Sequence, residues 1–175
     1  MTFQSDDRAF STCLAHGAAI GVAGGLAEVL VVAAYAGMTG ADGAAVATAV
    51  ATAVRIDPGS AAAGLAVHMA LAASLGVVLL ALANASGWLR GASATRSYAL
   101  GLLALGAVWA LNFFVVLPVV SPGFVHLLPY ALTLASKLMF GVAAVASLRT
   151  LVPGGAARRS PARLDGLDVC NTKTA

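Results

Sequence analysis

Apolar residues fill four long stretches of this chain, Leu14 to Met38, Ala61 to Ala85, Tyr98 to Val120 and Val125 to Leu148. The stretches are 25, 25, 23 and 24 residues long, and formal charge enters them only at Glu28 and Lys137. A helix needs about 20 apolar residues to cross the hydrocarbon core of a bilayer. Without water to satisfy the backbone, such a segment must be helical or shielded by other protein. The pattern therefore predicts an all-α protein, an integral membrane four-helix bundle. Residues 1–13 read as an N-terminal segment, 14–150 as the transmembrane domain and 151–175 as a flexible basic tail with no sustained period.

The connections carry signals of their own. Residues 39–60 form the longest loop, and Ala44 to Gly59 is apolar enough to hold a short interfacial helix closed by the turn signal Asp57-Pro58-Gly59. Residues 87–97 form a short basic connection, with Trp88 at the membrane–water boundary. The turn at Ser121-Pro122-Gly123 is so tight that the helices on either side of it must be antiparallel neighbours. The two halves of the chain do not repeat, which argues against an inverted-repeat transporter.

Composition agrees with lipid as the main solvent. The chain is 60% hydrophobic and 10% charged, with a mean hydropathy of +0.92, whereas soluble domains carry about 25% charged residues. A cleaved leader is a poor reading of the first stretch. The head MTFQSDDRAFST holds two acids and one arginine, and the apolar run is too long. Neither cysteine sits in a lipidation motif.

Charge sets the orientation. With four evenly spaced helices, Arg8, Arg90, Arg96, Arg149, Arg158, Arg159, Arg163 and Lys173 share one side and Arg55 stands alone on the other. The positive-inside rule puts both termini in the cytoplasm. Cys13 and Cys170 then face a reducing compartment and are expected as free thiols. The formal charge of +3 describes an inner rim and tail. No basic patch interleaved with aromatics supports nucleic-acid binding.

Candidate chemistry lies in the few polar groups within the spans. Glu28 ends the pattern Gly17, Gly21, Gly24, Glu28, a face with almost no side chain, to which Gly25 adds. Small residues let helices approach closely, so this face is expected in an interhelical contact, with Glu28 directed inward as an ion-pair partner or a proton or cation ligand. Lys137, on a stripe with Thr133 and Gly141, lies at similar depth in the fourth stretch. Opposite charges at one depth are expected to pair, because desolvation of each is costly; snorkelling of Lys137 along its stem is the alternative.

Three further groups occupy the outer half: His68 between Gly64 and Ala72, Asn112 six residues before Pro118, and His126 at the start of the fourth stretch. His68, His126 and Glu28 are ligand types suited to zinc or iron, but no His-x-x-x-His or His-x-x-Glu spacing links them. His68 and His126 also form the one outer histidine pair for a haem. No cofactor or metal is therefore assigned. His16 reads as an interfacial residue. Pro118 lacks an N–H and crowds the carbonyl of Phe114, so the third helix should bend or end there. Asn112 is expected to compensate for that bend through its amide, with Trp109, Phe113 and Phe114 filling the space around it. Ser121 near His126 has no acid to orient it, so no catalytic set is read.

The Gly-rich first helix, the segment GLAVHMALAASLGVVLLALA and the segment GLLALGAVWALNFFVVLPVVSP ahead of a histidine together resemble small four-helix bacterial inner-membrane proteins of unassigned function. The resemblance covers about Gly17 to Leu148. It implies an integral bundle and no particular chemistry. Three functions follow as expectations. The first is a non-catalytic membrane subunit or assembly partner of a larger, for example energy-transducing, complex, which contacts lipid and other transmembrane helices through small-residue faces. The second is a small proton, cation or solute transporter using Glu28 and Lys137. The third is a haem- or metal-binding protein using His68 and His126.

Overall fold

The computed structural model of the chain describes residues 3–56, 59–86 and 93–151, with side chains described from residue 10 onward. The basic tail, the Asp57-Pro58 turn and the connection holding Trp88 lie outside these residues. Helix α1 spans Phe3–Thr39, α2 Gly43–Ala53, α3 Ala61–Ser86, α4 Ala94–Leu111, α5 Leu117–Val120 and α6 Tyr130–Leu151. A π-helical turn, Asn112–Val116, joins α4 to α5, and a 3₁₀ turn, Phe124–His126, precedes α6. Among the described residues, four segments are long and apolar enough to cross a membrane: Phe10–Thr39, Ala61–Ser86, Ala94–Val120 and Tyr130–Leu151.

Local chemistry explains the boundaries. Gly40 ends α1 at φ 73°, in the left-handed region, while its N–H returns to Ala36 O at 2.9 Å; a glycine adopts that conformation without a Cβ penalty. Asp42 caps α2 by accepting from Ala45 N at 3.0 Å, Ser60 accepts from Ala63 N at 3.1 Å ahead of α3, and Ser93 accepts from Arg96 N at 3.3 Å ahead of α4. Each satisfies a donor that the first helical turn leaves free. Two expected limits move. Helix α1 runs without a break from Phe3 through the segment separated off as 1–13. Helix α6 starts at Tyr130 and not at Val125, because Pro129 disfavours helical backbone in the residue before it.

The helices pack in the order α3, α1, α6, α4, with α2 lying against α3. Glycines set the closeness of the central contacts. A Cβ on Gly17 would stand 2.7 Å from Val77 Cα, and one on Gly76 would meet the backbone of Gly17 and Gly21. A Cβ on Gly25 would lie 2.6 Å from Ala72 Cβ, and one on Gly24 would lie 2.7 Å from the Phe140 ring. The glycine face thus serves two neighbours inside the chain: Gly17, Gly21 and Gly25 meet α3, and Gly24 meets α6. The same device places α2, where the backbone of Ala47 lies against Gly64 and Ala51 is fully buried. The core of Ile20, Ala72, Leu80, Leu105, Phe140 and Ala144 fills the bundle toward the end away from α2. Cys13 packs beside it. It is half of a disulfide and not the free thiol expected, since that expectation rested on compartment alone.

Candidate intramembrane polar site

Glu28 lies within a small cluster that joins three helices. Its carboxylate Oε1 stands 2.6 Å from Lys137 Nζ, which ties α1 to α6. Its second oxygen, Oε2, faces His68 Nε2 of α3 at 3.7 Å. Only 5% of Glu28 is exposed. The bare turn Gly24-Gly25 explains how a carboxylate reaches so far in, because α3 and α6 close on α1 where it has no side chains.

Lys137 has a second stabilising contact. Its Nζ lies 5.4 Å from the centroid of the Phe140 ring, within the range in which the negative face of an aromatic attracts an ammonium. Phe140, one turn on, is fully buried and rests against Gly24. Glu28 and Phe140 thus hold the cation from two sides, which offsets part of the cost of removing it from water. The side chain does not snorkel.

His68 is the more open member, with 27% of its side chain exposed against 16% for Lys137 and 7% for Glu28. Its Nε2 also lies 3.4 Å from Gly25 O. A carbonyl only accepts, so Nε2 is the donor in this contact.

The other predicted residues stand apart. His126 is exposed in the 3₁₀ turn and makes no side-chain hydrogen bond or ion pair among the described residues. His16 bonds Thr12 O in its own helix at 2.8 Å. No group of three or more His, Cys, Asp or Glu suited to a metal occurs among the described residues. Asn112 corrects its expected role. The bend ahead of Pro118 is taken up by the π turn, in which Leu117 N–H bonds the backbone oxygen of Asn112. The Asn112 amide makes no hydrogen bond among the described residues. A wider turn displaces the carbonyls that the proline ring would crowd, so no side chain is needed to satisfy them.

That turn organises a second feature. Trp109 meets Phe113 at 5.6 Å and Phe114 at 5.5 Å between ring centroids. Tyr130 of α6 closes the group at 5.9 Å from both phenylalanines. More residues per turn bring positions four and five along both over Trp109. The indole N–H donates to Thr133 Oγ1 at 3.0 Å, and the Thr133 hydroxyl donates to Tyr130 O at 2.9 Å. Sequence reasoning placed the aromatics but missed Tyr130 and the Thr133 bond. The signal was present in the need of a half-buried indole for an acceptor.

The fold and the site define a class: an all-helical protein with four membrane-length apolar helices and a buried charged cluster between three of them. Comparison with protein-family models, with curated proteins and with solved structures gives no match for this chain.

Proposed function

We propose that this chain is a non-catalytic integral membrane subunit, or an assembly and stabilising partner, of a larger membrane complex such as an energy-transducing one. The observation that carries the reading is the 2.6 Å contact of Glu28 with Lys137. The two charges within the spans satisfy each other and tie α1 to α6, which is a holding role. The outlying helix α4 supplies the surface for a partner. It packs mainly on α6, leaves Leu103 and Leu111 more than half exposed, and carries Gly106 with open space where a Cβ would stand. Small residues beside apolar ones suit close contact with a neighbouring transmembrane helix.

Mild solubilisation followed by native separation tests this. Co-migration with a defined set of membrane proteins is expected, and a monodisperse, fully stable monomer would overturn it. The resemblance to small bacterial inner-membrane bundles and the arginine bias support placement in that membrane with cytoplasmic termini. The Cys13 disulfide favours an oxidising side for the same end. Labelling of reduced Cys13 by an impermeant thiol reagent from each side decides between them.

A second reading, a proton or cation transporter, draws on the position of His68 at 3.7 Å from Glu28. Proteoliposome flux that disappears in Glu28→Gln would favour it over the first. A haem or metal held by His68 and His126 would be seen as colour or bound metal in the purified protein.

A further inference from the structure

The four long helices close on one another unevenly. Helix α1 packs on α3 and α6, and α4 packs on α6, but α3 and α4 make no extended contact with each other. Between them, toward the end away from α2, lies a cavity of about 40 Å³. Ile20 of α1, Leu79 and Leu80 of α3, Gly101 and Leu105 of α4 and Ala144 of α6 line it. Leu79, and Leu148 at its α6 edge, are only partly buried, so the cavity reaches the surface of the bundle. Its lining offers water no polar partner, whereas hydrocarbon can fill it.

Helix register fixes what stands over one end of this cavity. Across the α4–α6 contact Gly101 meets Val145 and Leu105 meets Gly141, an antiparallel register that brings Ser97 level with Arg149. Across the α1–α6 contact Gly24 meets Phe140 and Glu28 meets Lys137, which brings His16 to the same level. Each of the three lies one turn beyond a lining residue and on its face: His16 beyond Ile20, Ser97 beyond Gly101 and Arg149 beyond Val145. The His16 ring is held to Thr12 O at 2.8 Å, and the Ser97 hydroxyl donates to Ser93 O at 3.1 Å. Arg149 and Arg96 are exposed, and neither side chain has a hydrogen bond or ion pair among the described residues. No carboxylate stands at this end among the described side chains, since Glu28 is paired with Lys137 and Asp42 caps α2 at the other end.

From this arrangement we propose that the cavity is the acyl-chain slot of a site for an anionic phospholipid, in the leaflet at the end away from α2. The chain nearest the head group fills the gap between α3 and α4. Arg149, about 6 Å beyond the lining, takes the phosphate in charge-assisted hydrogen bonds, with the Arg96 charge close by. Hydrocarbon first and phosphate beyond it is the order in which a phospholipid stands in a leaflet. A space of about 40 Å³ admits a hydrocarbon chain and not the backbone of a second helix. The site uses the Gly101–Leu105 face of α4 and leaves Leu103 and Leu111 to a partner, so it does not depend on the subunit reading.

Photolabelling of the full chain tests the site. The unaltered protein is placed in phosphatidylcholine nanodiscs containing a minority of phosphatidylglycerol with the same acyl chains, and one lipid or the other carries a diazirine in a chain. The phosphatidylglycerol label should fall on Leu79, Leu105 and Ala144, at about five times the yield of the phosphatidylcholine label, the factor expected for one arginine near a lipid surface. Arg149→Gln should bring the two yields together. Ala83→Leu, at a buried lining position, fills the cavity and should remove the label from Leu79 and Leu105 with both lipids, while exposed Leu103 stays labelled. Equal labelling of the cavity by the two lipids in the unaltered protein, or a preference that survives Arg149→Gln, overturns the head-group contact. Label confined to exposed residues such as Leu30 and Leu103, or persisting in the cavity of Ala83→Leu, overturns the slot. Cross-links between two copies of the chain through Leu79 and Leu105 would overturn the lipid as its occupant.

Discussion

Lys137 Nζ and Glu28 Oε1 meet at 2.6 Å across the α1–α6 contact, with the Phe140 ring 5.4 Å from the same ammonium. A pair so placed has little intrinsic surplus, because removing two charges from water consumes most of their attraction. Removing one partner leaves the other uncompensated, at a cost of about 3–5 kcal/mol.

Glu28→Gln and Lys137→Met should therefore each lower stability by about that amount, while the double variant loses clearly less than their sum. Thermal or denaturant unfolding of all four proteins in one detergent measures the coupling. Strict additivity would show that the contact contributes nothing.

The glycine contacts make an opposite pair of predictions. Gly76→Ala forces a methyl into the backbone of Gly17 and Gly21, and overpacking of this kind costs about 1–3 kcal/mol or more. Gly106 faces open space, so Gly106→Ala should stabilise the isolated bundle by up to about 1 kcal/mol through helix propensity. If α4 is a partner surface, the same substitution should weaken co-purification. Melting temperatures compared with pull-down yield separate the two effects.

Thr133→Val removes the acceptor of the Trp109 indole. A half-buried N–H without a partner should cost about 1–3 kcal/mol. Trp109→Phe in that background should then cost less than it does in the natural chain. A Trp109→Phe effect of equal size in both would mean that the bond at 3.0 Å has no energetic weight.

Pro118→Ala restores an N–H that can reach Phe114 O. The π turn should relax toward an α-helix, which rotates Phe114 away from its stacked contact with Tyr130. In a Trp88→Phe background the Trp109 emission reads this directly, and an unchanged spectrum would show that the turn has another cause.

How much was legible beforehand follows physical lines. The spans were readable because hydropathy is a local property and a bilayer leaves the backbone few choices. Glu28 and Lys137 were readable as partners because opposite charges at one depth have few other ways to be satisfied. The Gly17, Gly21, Gly24, Gly25 face was readable as a packing face, but helical periodicity names a face and never its occupant. The surplus of small residues pointed toward foreign helices. In the fold those glycines are spent on α3 and α6, while Gly106 on α4 remains open.

The amino-acid sequence by itself determined an all-helical chain with four membrane-length segments, two opposed charges within them and a defect at Pro118. Tertiary structure decided that α1 lies between α3 and α6, and that His68 becomes the third member of the Glu28 cluster. It also decided that the defect is absorbed by a π turn and not by the Asn112 amide, and that Tyr130 and Thr133 close on Trp109. The reason is the range of the forces involved. Hydropathy and backbone hydrogen bonding act within a segment, whereas the neighbour that fills a bare helix face is chosen by shape and charge across the whole bundle.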